Sequence, residues 1–148
     1  MSVTGRSWPR MTGREEFRFL ADLVFRRSAG DATTVVLHDH HGGTTRFANS
    51  QVIQNVDTRR GTLTVTVALD GRRGTASTTD FTAGAINNVV ARAEQVAKLS
   101  PKDPEYLPPP EQTTFPHRAT ARPETVAAGP ARRLEYANEA IGQCRIEN

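Results

Sequence analysis

His38-Asp39-His40-His41 places three imidazoles and a carboxylate at four consecutive positions, side-chain types that bind transition metals. Along a strand, His38 and His40 would share a face, and a third ligand from elsewhere would complete a site. The tetrad runs into Gly42-Gly43, so an exposed hairpin tip is the expected reading. A weak metal site and a catalytic site are its alternatives. Asn138-Glu139-Ala140-Ile141-Gly142-Gln143 has the outline of a His-Glu-x-x-x-His helix with both imidazoles replaced by amides, which are poor zinc ligands. An ordinary helix is expected there. The single cysteine, Cys144, excludes an internal disulfide and any multi-cysteine zinc site. Ser77 has no base in view, and neither a phosphate-cradling glycine loop nor an EF-hand loop occurs. Taken alone, these residues do not describe a catalyst.

The elements that would position them are read from periodicity. Thr12 and Glu15 have capping-box spacing, and Phe17, Leu20, Ala21 and Val24 recur at helical intervals. Arg14 to Ser28 is therefore expected to be an amphipathic helix. Thr33–Leu37, Thr44–Asp57, Gly61–Asp70 and Gly74–Thr78 read as strands, with turns at His41-Gly42-Gly43 and Asp70-Gly71. In Thr44–Asp57, Phe47 and Ile53 share one parity and Val52 and Val56 the other. A bulge or bend near Asn49-Ser50 accounts for this; burial on both faces is the rival account. Leu63, Val65, Val67 and Leu69 alternate with Thr62, Thr64, Thr66 and Ala68, the pattern of a strand with one face on a core. Thr82 can cap a second helix with the stripe Ile86, Val89, Val90, Ala93 and Ala97, ending near Leu99 before Pro101. The expected fold class is α+β: a mainly antiparallel four-stranded sheet with two helices on one face.

The chain has 148 residues, 36% of them hydrophobic, and a net charge of +3. So small a surplus would steer a nucleic acid only weakly, and arginine pairs scattered without interleaved aromatics are expected to be solvated rather than a nucleic-acid surface. No apolar run reaches the roughly 20 residues of a membrane span. No signal-type apolar stretch precedes Glu15-Glu16, so a reducing cytoplasmic setting is expected. Eight of the nine prolines lie between positions 101 and 130, including Pro108-Pro109-Pro110, which reads as a stiff linker. The expected domain plan is a leader at 1–13, an α+β domain at 14–100, a Pro-rich linker at 101–130, and a helix beginning at 131–148. That helix carries Leu134, Ala137 and Ile141 on one stripe with no evident partner, and leads toward an absent C-terminal domain.

One set of segments goes further. Thr45-Arg46-Phe47-Ala48-Asn49-Ser50-Gln51-Val52-Ile53-Gln54-Asn55 is followed by Gly74-Thr75-Ala76-Ser77-Thr78-Thr79-Asp80. Ala91-Arg92-Ala93 through Leu99-Ser100-Pro101-Lys102-Asp103-Pro104 completes it. In order and spacing, over roughly Arg14 to Pro110, this resembles the N-terminal domain of the TldD/PmbA metallopeptidase family, often labelled modulator of DNA gyrase. The resemblance implies a larger, β-rich C-terminal domain carrying the His-Glu-x-x-x-His motif. It also implies zinc in the full-length enzyme or its partner subunit, unstructured peptides as substrate, and homo- or hetero-oligomers. No metal ligand and no catalytic residue carries over to this chain.

Asn49, Gln51 and Asn55 are uncharged amides of one parity in a long polar segment. Such groups can bond a peptide backbone without selecting a side chain, so these three are the expected peptide or interface contacts. The expected role is a substrate-groove or subunit-interface module of a metallopeptidase, inactive alone. The alternative is a free-standing domain that binds an extended peptide or a partner sheet.

Overall fold

The computed structural model describes residues 12–110, 114, 120 and 122–146. Residues 1–11 of the expected leader, and 111–113, 115–119 and 121 of the expected linker, lie outside the described residues, as does His117. The element order is α1 (Arg14–Arg27), β1 (Ala32–Ala48), β2 (Gln51–Leu69), β3 (Arg72–Thr78), α2 (Ala83–Leu99), α3 (Pro123–Val126) and α4 (Pro130–Ile146). The three strands form one antiparallel sheet in the order β1-β2-β3.

The expected four-stranded sheet with two helices on one face is therefore corrected: the described residues form three strands and four helices. Its error lies in the placement of the first turn. Gly42 and Gly43 lie inside β1, and the chain reverses at Asn49-Ser50, whose φ angles are 50° and 57°. Glycine permits a turn without requiring one, and asparagine is among the few other residues at ease in the left-handed region. The reversal puts Phe47 on β1 and Val52, Ile53 and Val56 on β2, where Ile53 still opposes the other two; with Ile53 and Val56 exposed, burial does not enforce a period there. Arg59-Arg60-Gly61 likewise fails to interrupt β2. Gly61 is small for another reason, since a Cβ there would sit 3.0 Å from the Phe81 ring.

The chain divides into two compact units, Met1–Asp39 with Arg60–Thr113, and His40–Arg59 with Thr114–Asn148. In the first, the core is Leu20 and Val24 of α1, Leu63, Val65 and Val67 of β2, Phe81, and Ile86, Val89, Val90 and Ala93 of α2. The two-residue period of β2 turns Leu63, Val65 and Val67 inward, all fully buried. The five-residue stripe of α2 is buried as well, and the Thr82 hydroxyl accepts the Ala85 N–H at its start. At the start of α1 the expected cap shifts by one residue: Gly13 is the N-cap, and its N–H donates to the Glu16 carboxylate at 2.8 Å. Asp70 (φ 48°) and Gly71 (φ 70°) make the tight turn into β3, pairing Leu69 with Arg72 and Leu63 with Thr78. Gly74 of β3 lies directly against the α2 backbone at Ala93 and Ala97.

In the second unit, the stripe of α4 does find cover, contrary to expectation. Ala137 and Ile141 are buried, while Leu134 is partly exposed.

Candidate functional site

The three expected contact residues all fall on the His40–Arg59 portion of the β1–β2 hairpin, and all are exposed. Asn49 forms the turn, Gln51 opens β2, and Asn55 lies further along it. Because the turn separates Asn49 from Gln51, their shared parity does not make them one strand face. Asn55 is already engaged at both ends. Its Oδ1 accepts the Thr45 hydroxyl at 2.9 Å, and its Nδ2 donates to the Pro130 carbonyl at 3.1 Å.

Two arginines of α4 complete the surroundings. Arg133 donates from Nη2 to Asp57 Oδ1 at 2.7 Å and to the Val56 carbonyl at 3.3 Å, and from Nη1 to the Ala128 carbonyl at 2.9 Å. Its side chain is only 17% exposed, and its Nε is buried without an acceptor. The guanidinium lies over Gly43, where a Cβ would collide with it. Arg145 donates to the Ser50 carbonyl at 2.9 Å, and His41 Nε2 stands 3.7 Å from Asp57 Oδ2. Sequence reasoning missed both arginines. The only signal was the Arg132-Arg133 pair, and nothing in local spacing links it to Asp57.

The histidine tetrad occupies β1 rather than a turn. His38, His40 and His41 are exposed, while Asp39 is half-buried and accepts the Thr12 N–H at 2.6 Å. Among the described residues no three His, Cys, Asp or Glu side chains converge as metal ligands would. No reaction step is assigned to them. Asn138, Glu139 and Gln143 are exposed on α4. Among the described residues no helix is long and apolar enough to cross a membrane.

A polar cluster of the first unit fixes the segment after α2 against the β2–β3 turn. Lys102 Nζ donates to Asp70 at 2.7 Å and holds that carboxyl below its ordinary range. The Asp103 N–H donates to the Gly71 carbonyl at 2.9 Å. Arg73 reaches Asp103 at 3.4 Å and lies 5.2 Å from the Tyr106 ring centre.

Residues 34–97 match the model of the PmbA/TldA metallopeptidase domain 1. The match supports recognition of this region as the first domain of that family. The match spans most of β1, all of β2 and β3, and nearly all of α2, so the hairpin belongs to the domain's own framework. The crystal structure of TldE from Thermococcus kodakarensis superposes with a TM-score of 0.74 over 88% of this chain, at 15% identity. At that identity the likeness establishes the PmbA/TldA-type fold alone. This chain spans 28% of the length of that TldE chain. Comparison with curated proteins gives no significant match.

Proposed function

We propose that this PmbA/TldA first domain serves as a substrate-groove or subunit-interface module of a zinc metallopeptidase acting on unstructured peptides in the cytoplasm. One observation carries the reading: within the family match, the hairpin presents Asn49, Gln51 and Asn55 as exposed amides in a stretch without charge from Ala48 to Val56. An amide offers both donor and acceptor to a peptide main chain and leaves the peptide's side chains unread. A strand edge beside it adds main-chain pairing. Lysine or glutamate would usually guard such an edge, and here they are missing. Zinc, bound by other parts of the assembly, would supply the Lewis acid and activated water of hydrolysis. The residues of this chain bind and orient. The proposed domain plan places them at 14–100, ahead of a linker and a helix that lead to a catalytic domain or a TldD/PmbA-like partner subunit.

The test is Asn49→Lys and Gln51→Lys in the complete enzyme, with peptide cleavage, assembly mass and melting temperature measured for each. Weaker cleavage or assembly at unchanged melting temperature is expected. Unchanged cleavage and assembly in both variants would reduce the hairpin to scaffold. The purified chain alone is expected not to hydrolyse peptides with or without zinc; zinc-dependent cleavage lost in His38→Ala/His40→Ala would overturn that.

A further inference from the structure

The hairpin groups proposed to meet a peptide are not idle in this structure. Asn55 gives its amide N–H to the Pro130 carbonyl, Val56 gives its carbonyl to Arg133, and Ser50 gives its carbonyl to Arg145. All three partners belong to α4. We propose that α4 is a displaceable strap over the β1–β2 hairpin, occupying the same main-chain and amide groups that a peptide strand would use. This rests on the reading of the hairpin as a peptide-contact surface, and adds its regulation.

Two features make α4 suited to release rather than permanent cover. Its apolar anchorage is small: among the described side chains Ala137 and Ile141 are buried, against five in α2, a helix of equal length. Side-chain burial is the main source of helix docking energy, so α4 is held far more lightly than α2. Its polar grip is also imperfect. Arg133 places its guanidinium on Asp57, Val56 and Ala128 but leaves a buried Nε without an acceptor. An unmet buried donor is recovered by water once the helix lifts. The Asp57 pair is partly exposed and weakens with salt. An incoming strand would replace the Ser50 and Val56 hydrogen bonds one for one, so exchange costs little in hydrogen bonding.

Groups engaged by α4 bind a peptide with an affinity lowered by the fraction of molecules in which they are free. The experiment compares the full chain with the double variant Arg133→Ala/Arg145→Ala. Hydrogen exchange is read at residues 51–57, and binding by anisotropy of a fluorescein-labelled, uncharged, unstructured 15-residue peptide. Faster exchange with binding tighter by about tenfold is expected, matching a surface open in about one molecule in ten. Added salt should tighten binding to the parent chain and leave the variant unchanged. Equal affinity in both proteins overturns the strap while leaving the peptide surface standing. No binding by either overturns the peptide reading, and the strap with it. If the double variant loses its cooperative melt, Asp57→Asn, which removes only the ion pair, takes its place with the same expected direction.

Discussion

The Cα of Gly43 faces the guanidinium of Arg133, and a side chain at position 43 would occupy the place of that group. This explains a glycine within a strand where no turn calls for one. Gly43→Ala should push the guanidinium off Asp57, Val56 and Ala128. Because the arginine end is flexible and its ion pair partly exposed, the cost should be only about 0.5–1 kcal/mol. Faster hydrogen exchange in α4, with the Leu63–Leu69 amides unaffected, is the signature. Equal protection of α4 in variant and parent would show the contact to be incidental.

Gly74 presents the opposite case. A Cβ there would strike the Ala93 carbonyl oxygen and the Ala97 nitrogen, which are backbone atoms of α2 and cannot rotate aside. Gly74→Ala should separate α2 from β3 and cost about 2–4 kcal/mol, a large part of the ~5–15 available to a domain. Urea denaturation measures this directly; a midpoint shift under a tenth of a molar would refute the close approach.

Val67 is fully buried in the core of the first unit. Val67→Asp leaves a carboxylate without a partner there, and loss of the cooperative thermal transition is expected. A melting temperature within a degree of the parent's would place this residue outside the core.

Gly142 lies within α4, and a methyl group on its Cα would meet nothing within 4 Å. Gly142→Ala should stabilise the helix by roughly 0.5–1 kcal/mol through the unfolded state. Slower hydrogen exchange in α4 is the readout.

Asp70 titrates below its ordinary value of 3.8, first through its hydrogen bond from Lys102 and then through that group's charge. A depressed carboxyl favours the folded state above its unfolded pKa, and that contribution disappears as pH falls through the lower, folded value. Lys102→Met should therefore raise the Asp70 pKa toward 3.8, as read by carboxyl NMR titration. No change would mean that the pair is not formed in solution.

The parts legible in the sequence are those governed by local rules. Thr82 and the stripe from Ile86 to Ala97 define α2 because capping and burial act within a few residues of one another. Leu63, Val65 and Val67 define their half of β2 because one face is wholly inside. The first reversal was only half legible: a bend near Asn49-Ser50 is expected from the pattern, but the turn itself is expected earlier. Gly42-Gly43 carries the stronger turn composition, while Asn49-Ser50 takes the strained φ angles. The setting of Asn55 was hidden for a different reason: its partner Pro130 lies 75 residues away, and the Arg133–Asp57 pair spans 76. No periodicity encodes such contacts.

The contrast between the two halves of β2 has an evolutionary corollary. From Leu63 to Val67, alternate side chains are sealed in the core, so a slip of one residue would turn the whole set outward. From Gln51 to Thr58 every residue but Val52 is exposed, and burial imposes no such penalty. Alignment there depends on the Asn49-Ser50 turn and on a handful of polar contacts. Loss or gain of residues in matched pairs, one from each strand, would alter no core side chain. Hairpin length is thus the dimension in which this domain is free to diversify, and reach can change while the core stays the same.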